Sequence, residues 1–280
     1  MNRAPIGGLR YFWDAYRAFL KVGMAVMLQY RFAVIIWGVW GFVGPLISLA
    51  VWTAASQARG GSVANAATGE AFSRADFAAY FLLFMIFSHI TMSWDVFEFA
   101  YRVRGGGLSQ GLLKPIHPIH HDACHNISFK VVTSGMLLPV WVLMFVMLRP
   151  TPPSFAGCLL AVPALLLAAV MRYVFQYALA LIAFWTTRVE AINQFYFTLD
   201  AFLSGRVAPL SLLPGLLGAA ASFLPFRYMG SFPVELALGR VPAAEILPGY
   251  ALQVVWVAVA VVLLRVLWNA GIRQYSAVGA

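Results

Sequence analysis

The series of long apolar runs is the feature that most limits how this chain can fold. Six runs approach or exceed the roughly 20 residues that an α-helix needs to cross the hydrocarbon core of a bilayer. Of the 280 residues, 62% are hydrophobic and 10% are charged, whereas a soluble domain is usually about 25% charged. We therefore predict an all-α membrane protein with six transmembrane helices, at residues 32–55, 77–101, 129–148, 155–185, 195–213 and 247–268.

Residues 1–31 precede the first apolar run and have a different pattern. Arg10, Asp14, Arg17 and Lys21 recur at helical spacing, and aromatic and aliphatic residues fill the opposite face. A basic amphipathic helix of this kind lies in the membrane interface rather than across it. The sequence thus predicts an N-terminal interfacial helix, and its pattern does not fit a secretory signal peptide.

The apolar segment after the fifth predicted span is broken by helix-disrupting residues. In SLLPGLLGAAASFLPF, the run is interrupted by Pro214, Gly215 and Pro225. The pieces between them are too short to cross a bilayer. We predict a re-entrant helical segment between the fifth and sixth transmembrane helices.

The distribution of Lys and Arg predicts the orientation, because cytoplasmic loops of membrane proteins carry an excess of these residues. With both termini in the cytoplasm, twelve basic residues lie on the cytoplasmic side and six on the other. The loop at residues 102–128 and the tail at residues 269–280 are then cytoplasmic. The same bias accounts for the net charge of +9. We predict no nucleic-acid partner, because the basic residues fall between apolar spans rather than on one soluble face.

The loop at residues 102–128 holds four of the five histidines. On a helix, His117, His121 and either Cys124 or His125 would share one face, and imidazole and thiolate are good zinc ligands. Two prolines interrupt the start of this segment, however, and the spacing matches no standard zinc site. We predict that the segment is the polar start of an interfacial helix and holds no metal, and we keep metal binding as the alternative hypothesis.

Two charges inside predicted spans indicate a buried pair. Arg172 and Asp200 flank the short turn between the fourth and fifth spans at similar distances. The two spans then form an antiparallel hairpin with both charges at similar depth. Charges within a membrane are costly and usually functional. Two interpretations are open: a salt bridge that holds the hairpin together, or a polar point on a translocation path.

Three more polar residues lie in the second predicted span. Asp95 and Glu98 are near its cytoplasmic end, and Glu98 precedes Arg102 by four residues, a favourable pairing on a helix. His89 lies in the middle, where a lone histidine is more often a hydrogen-bonding group between helices than a ligand. These residues fit either a structural role or a place on a translocation path.

Signatures of catalysis are absent from the sequence. It contains no G-x-x-x-x-G-K-[ST] loop for ATP phosphates, no H-E-x-x-H and no G-x-S-x-G motif. We predict that the chain is not an enzyme, holds no cofactor and would take the energy for transport from a partner. The alternative is a membrane-embedded enzyme or a metal-binding sensor that uses the histidines and cysteine of the loop.

The order of glycines, leucines and prolines resembles that of one protein family. GGGLSQGLLKPIHP is similar to the G-x-L-x-x-x-L-L-x-P signature after the second span of type-two ABC exporter permeases. Here the signature comprises Gly106 or Gly107, Leu108, Leu112, Leu113 and Pro115. A later resemblance is carried by Gly205, Pro209, Pro214, Pro225, Phe226, Pro233 and Gly239. The pair Phe184–Trp185 resembles a subfamily associated with drug and viologen export.

The resemblance implies a permease half in the bacterial cytoplasmic (inner) membrane. It implies a second permease, identical or homologous, and two ATP-binding subunits that bind ATP and Mg. The surface that couples to these subunits would comprise Gly107, Leu108, Leu112, Leu113 and Pro115. The implied substrate is an amphipathic or cationic small molecule, with a lipid or glycolipid-like molecule as the alternative.

Overall fold

The computed structural model describes residues 8–65, 69–186, 188–213 and 215–276. Helices dominate these residues, which confirms the all-α prediction, and one two-stranded β-hairpin accompanies them. Five segments are long and apolar enough to cross a membrane: Arg31–Ala58, Arg74–Arg104, Pro118–Leu148, Phe155–Phe184 and Ala243–Gly271.

Two helices and a β-hairpin begin the chain. Helix α1 (Leu9–Gln29) is the predicted N-terminal helix, and α2 (Arg31–Ala58) is the first long apolar helix. Residues 1–7 of the predicted interfacial segment lie outside the described residues. Strand β1 (Ser62–Ala64) then pairs antiparallel with β2 (Ala71–Ser73).

The second predicted span, at residues 77–101, is divided into two helices. Helix α3 (Arg74–Thr91) ends at an extended residue, Met92, with φ −58° and ψ 148°. Helix α4 (Asp95–Arg104) begins after three non-helical residues. The break places the Asp95 carboxylate in the first turn of a new helix, where the helix dipole favours a negative charge.

The predicted loop at residues 102–128 is mostly helical. A short helix, α5 (Gly107–Leu112), follows α4, and α6 (Pro118–Leu148) begins at residue 118 rather than at the predicted 129. Proline is favoured at the first position of a helix because its missing N–H would be unpaired there anyway. The histidine-rich segment is therefore the first two turns of α6 and not a connecting loop.

Helix α1 packs along this early part of α6. The buried residues of α1 include Gly23, and a Cβ atom at Gly23 would lie 2.5 Å from Ser128 Oγ. Tyr16 of α1 and His120 of α6 are joined by a 2.6 Å hydrogen bond between the Tyr16 hydroxyl and His120 Nδ1. The small residue and the polar contact together fix α1 against α6.

The fourth predicted span is observed with small changes, whereas the bounds of the fifth differ. Helix α7 (Phe155–Ala180) continues as a 3₁₀ turn over Leu181–Phe184. Helix α8 (Val189–Leu203) has 15 residues, so the predicted helix at 195–213 is wrong in both bounds. Gly205 has φ +88°, which a glycine adopts without strain, and the chain turns there. Six crossings stay a prediction.

Short helices occupy the segment for which a re-entrant element is predicted. They are α9 (Gly215–Phe223), α10 (Pro225–Met229) and α11 (Ser231–Ala237). The last helix, α12 (Ala243–Gly271), contains the predicted span at residues 247–268. The segment is helical and broken, as expected, while its re-entrant course stays a prediction.

Helix α7 is the central element of the bundle. It packs against α12, α11, α3 and α4. Its approach to α11 is close enough that a Cβ atom at Gly157 would lie 2.4 Å from the carbonyl oxygen of Leu236. Aromatic side chains of α3, among them Phe77, Tyr80 and Phe84, form the core beside it with Phe232. Polar side chains on α7 are thus surrounded by protein.

Candidate functional site

The short helix α5 carries the residues predicted to couple to an ATP-binding partner. Gly106 precedes it with φ +75°, a left-handed conformation that glycine permits and that turns the chain from α4 into α5. Leu108 is buried at 1% exposure, where it packs with Phe99 of α4 and Tyr177 of α7. Leu108 therefore anchors α5 in the buried cluster that α4 and α7 share.

The far end of α5 is exposed. Leu112 and Leu113 have 37% and 87% of their surface accessible, and Lys114 and Pro115 are also exposed. Ser109 is joined to Tyr275, after α12, by a 2.9 Å hydrogen bond between their hydroxyls. Of the five predicted coupling residues, Leu108 thus faces inward, while Gly107, Leu112, Leu113 and Pro115 are exposed.

A buried carboxylate beside α5 joins three helices. Arg102 Nη2 of α4 lies 2.5 Å from Asp122 Oδ2 of α6, and the hydroxyl of Tyr177 on α7 donates to the same oxygen at 3.0 Å. Asp122 is only 4% exposed. We call these three residues the Asp122 cluster. Such charge-assisted hydrogen bonds are about twice as strong as neutral ones, so the cluster fixes the three helices to one another.

The Asp122 cluster corrects one sequence expectation. Arg102 forms its ion pair with Asp122 rather than with Glu98, four residues before it. Glu98 is exposed instead, and its Oε2 lies 4.0 Å from His125 Nδ1. Because α6 begins at residue 118, Asp122 lies in its second turn and faces α4. The sequence interpretation expected a polar helix start here but did not pair Asp122 with Arg102.

The histidines have separate environments. His117 precedes α6, and its Nδ1 accepts a hydrogen bond from the Ile119 N–H at 3.2 Å, while its ring lies 4.0 Å from that of Trp268. Burial, and secondarily the neighbouring His120, lowers the pKa of His117 below its usual value. His121 contacts the Phe19 ring of α1 at 5.2 Å.

The proposed zinc ligands are therefore spread over different contacts. Cys124, one of them, is fully buried, whereas His121 is about half exposed. Within residues 8–65, 69–186, 188–213 and 215–276, no three His, Cys, Asp or Glu side chains are grouped in a way that would hold a metal ion. The contacts of His117, His120 and His121 are with α1, α6 and α12.

Two predicted polar residues of the second span lie on either side of the α3–α4 break. His89 Nε2 and Thr133 Oγ1 of α6 are 2.8 Å apart, so His89 forms the hydrogen bond between helices that its position suggests. Asp95 is 4% exposed and accepts a hydrogen bond from the Ser93 hydroxyl at 2.5 Å. The Asn126 amide lies 3.5 Å from the same carboxylate. These contacts tie α3 and α4 to α6.

The predicted pair of buried charges is present. Arg172 Nη1 on α7 lies 3.1 Å from Asp200 Oδ1 on α8, and both side chains are almost fully buried. Arg172 Nη2 also donates to the carbonyl oxygen of Met229 at 3.2 Å. The pair therefore links the α7–α8 hairpin to the broken helical segment that follows it.

A third charge, which the sequence interpretation did not include, completes this group. Arg206 Nη2 lies 3.0 Å from Asp200 Oδ2. We call Arg172, Asp200 and Arg206 the charged triad. Arg206 comes six residues after Asp200, just beyond the end of α8, and the sequence counted it with the residues outside the membrane. The chain turns at Gly205, and Arg206 then lies next to Asp200. No local sequence pattern indicates this contact.

Comparison with known proteins bears on the identity of the chain. Residues 67–279 match the family described as ABC-2 family transporter protein. No curated protein and no solved structure matches the chain. The family match covers most of the chain, including the exposed α5, the Asp122 cluster and the charged triad. The protein is therefore a membrane transport subunit that belongs to the ABC-2 transporter family.

Proposed function

We propose that this chain is one permease half of an ATP-driven exporter. It would work with a second permease, identical or homologous, and with two separate ATP-binding subunits that bind ATP and Mg. The observation that carries the proposal is the form of α5, whose base is buried at Leu108 and whose exposed end carries Leu112 and Leu113. An exposed apolar end on a fixed base suits a surface that docks on another protein.

The contacts of α5 suggest how movement would pass into the bundle. Leu108 packs against Phe99 on α4 and Tyr177 on α7, and Tyr177 also donates to Asp122. Arg172 lies five residues before Tyr177 on the same helix, about 7.5 Å along its axis. A displacement of α5 would therefore shift α7, which carries one member of the charged triad.

The proposed setting is the bacterial cytoplasmic (inner) membrane, with both termini and α5 in the cytoplasm. In that orientation α1 lies in the cytoplasmic interface, and helices α9 to α11 form a re-entrant element on the opposite side. The basic residues of α1, among them Arg10, Arg17 and Lys21, support this placement, because anionic lipids of the inner leaflet attract them.

The substrate is proposed to be amphipathic. The sequence favours an amphipathic or cationic small molecule, as in drug and viologen export, and keeps a lipid or glycolipid-like molecule as the alternative. The membrane-embedded enzyme or metal-binding sensor is the second candidate function. The transport function is better supported, because His117, His120 and His121 already contact α1, α6 and α12.

Charging the exposed end of α5 tests the transport proposal. The variant Leu112→Glu/Leu113→Glu should insert normally but lose the ATP-binding subunits from a native purification and lose substrate-stimulated ATP hydrolysis. The matched control is Gln274→Glu/Ser276→Glu, which adds the same charge at exposed positions after α12. Normal ATPase recruitment and stimulation in the α5 variant would show that α5 is not the coupling surface.

A further inference from the structure

A narrow cavity lies between α2, α3 and α6, next to the charged triad. Its walls are largely apolar and include Phe42 of α2, Met85 of α3 and Trp141 of α6. The polar side is formed by Ser88 and His89 of α3 and by Arg206. The charged triad therefore does not face protein alone, because one of its arginines also lines a cavity.

Two side chains that line this cavity each carry a buried hydrogen-bond donor without an acceptor among the described residues. Trp141 is 6% exposed, and its indole N–H is buried and unpaired. The Nε of Arg206 is likewise buried without an acceptor. A buried donor without a partner costs about 1–3 kcal/mol. Both donors would be satisfied by a group that brings acceptor oxygens.

The net charge of the triad also favours a group with acceptor oxygens, because it is positive. Arg172 and Arg206 share the single carboxylate of Asp200, so two positive charges and one negative leave a net charge of +1. Among the described residues, no second carboxylate forms an ion pair with either arginine. A cation would be repelled here, whereas an anion would compensate the excess charge. Guanidinium groups also match carboxylate and phosphate oxygens in geometry.

We place the mouth of the cavity at Gly41 on α2, because this residue of its lining is exposed. Gly41 is exposed, and a Cβ atom there would meet no atom within 4 Å. The cavity itself has a volume of about 30 Å³, enough for one or two water molecules. A headgroup would thus bind at the mouth next to Arg206, with its apolar part along the exposed surface of α2.

We infer that Arg206 and the cavity lined by Trp141 bind the anionic headgroup, carboxylate or phosphate, of an amphiphile that reaches the site from the membrane at Gly41. This inference rests on the proposed transport function, since it assigns a substrate class to that function. It replaces the cationic substrate suggested by the sequence with one of opposite charge.

The test is direct binding of brominated amphiphiles to the full chain in nanodiscs of phosphatidylcholine. Three probes share a twelve-carbon tail that carries bromine next to the headgroup, and they differ in the headgroup: carboxylate, phosphate or trimethylammonium. Bromine quenches tryptophan fluorescence at short range, so a probe at the site quenches Trp141. The portion of the quenching that disappears in Trp141→Phe reports occupancy of the cavity.

We expect saturable quenching of this portion by one or both anionic probes and none by the trimethylammonium probe. Arg206→Gln should weaken anion binding about tenfold or more, the loss typical of a charge-assisted hydrogen bond. Arg206→Lys should lose less, because the charge remains. Gly41→Leu, whose Cβ atom meets nothing within 4 Å, should also weaken binding by obstructing the mouth. The control Arg240→Gln removes an arginine that pairs with Asp76 elsewhere and should bind normally.

Quenching by the cationic probe at equal affinity would overturn the inference, as would quenching that rises without saturation and is unchanged in Arg206→Gln. Comparing the affinities of the carboxylate and phosphate probes shows which headgroup the site prefers. The assay needs no ATP-binding subunit, so the two proposals can fail separately. A chain that recruits the ATPase but binds no anionic probe refutes the anion site alone. A chain that binds the probe but recruits no ATPase refutes the exporter assignment and keeps the site.

Discussion

Arg172 and Asp200 meet at 3.1 Å in the interior of the protein, on two helices joined by a turn. The second oxygen of the same carboxylate lies 3.0 Å from Arg206. One acidic side chain therefore fixes the α7–α8 hairpin and the turn after α8 at the same time. The sequence indicates the first contact through the equal spacing of the charges around the hairpin turn, but not the second.

Charge exchange within the triad should give only partial rescue. Arg172→Asp alone leaves two buried carboxylates with only Arg206 to pair with and should cost about 3–5 kcal/mol. In the double variant Arg172→Asp/Asp200→Arg the pair between positions 172 and 200 is restored. The arginine now at position 200 lies against Arg206, however, so two guanidinium groups repel each other. We expect the triple variant with Arg206→Gln to be more stable than the double variant. Thermal unfolding in detergent measures this order, and a double variant as stable as the natural chain would contradict it.

Removing the charge of Asp122 should loosen α4, α6 and α7 together. Asp122→Asn weakens two hydrogen bonds and leaves Arg102 without its carboxylate, so we expect a loss of about 1.5–3 kcal/mol. Tyr177→Phe removes one of these bonds and should cost about 1 kcal/mol. The same change at the exposed Asp14 of α1, Asp14→Asn, serves as the control and should have a small effect. Thermal unfolding followed by size-exclusion chromatography distinguishes these cases, and equal losses in all three variants would argue against the cluster.

The stability of the protein should fall between neutral and mildly acidic pH in part because of His117. Burial lowers the pKa of His117 in the folded protein below its ordinary value near 6.5. As pH falls through the ordinary value, His117 takes up a proton in the unfolded chain but stays neutral in the folded protein. The stability that the neutral, buried His117 contributes at higher pH is therefore lost. His117→Asn keeps a capping side chain that does not titrate.

The measurement is the thermal midpoint of both proteins at pH 7.5 and pH 5.5. The natural chain should lose more stability over this interval than His117→Asn, because the other histidines are common to both. An equal decrease in the two proteins would mean that the capping contact does not depend on the protonation of His117.

Two glycines in long helices should respond oppositely to alanine. At Gly157 of α7, a Cβ atom would lie 2.4 Å from the carbonyl oxygen of Leu236, so Gly157→Ala should force α11 away and cost about 1–3 kcal/mol. At Gly135 of α6, nothing lies within 4 Å, so Gly135→Ala should stabilise the helix by up to about 1 kcal/mol. Unfolding midpoints of the two variants provide the comparison, and a stabilised Gly157→Ala would show that α7 and α11 are less closely packed.

The long helices were predictable because their apolar runs are a local property of the chain. The spans at 32–55 and 247–268 lie within α2 and α12, and the span at 155–185 ends one residue after the 3₁₀ turn that follows α7. A polar helix start at the histidines was predicted, but not that it continues into the apolar span as one helix, α6, because the polar residues mask a helix whose first turns pack on α1. The order of the motif was enough to assign Leu108, Leu112 and Leu113 to the coupling segment. Which of them is buried could not be predicted, because burial depends on how α5 packs against the rest of the bundle.

Contacts that depend on a change of chain direction were the least predictable. Arg206 lies next to Asp200 after a turn at Gly205, and Trp141 and Arg206 line one cavity between α2, α3 and α6. No spacing rule connects residues that a turn and a tertiary interface bring together. The candidate binding site is therefore a property of the packed bundle, although each of its residues is visible in the sequence.

The length of α8 has a consequence for the surrounding lipid. Its 15 residues span about 22 Å, less than the roughly 30 Å of hydrocarbon in an ordinary bilayer. In the predicted arrangement with α8 as the fifth crossing, this mismatch would thin the bilayer locally. The two leaflets would then approach each other where Asp200 and Arg206 lie, and the distance that an amphiphile must travel between leaflets would be shortest beside the arginine that recognises its headgroup.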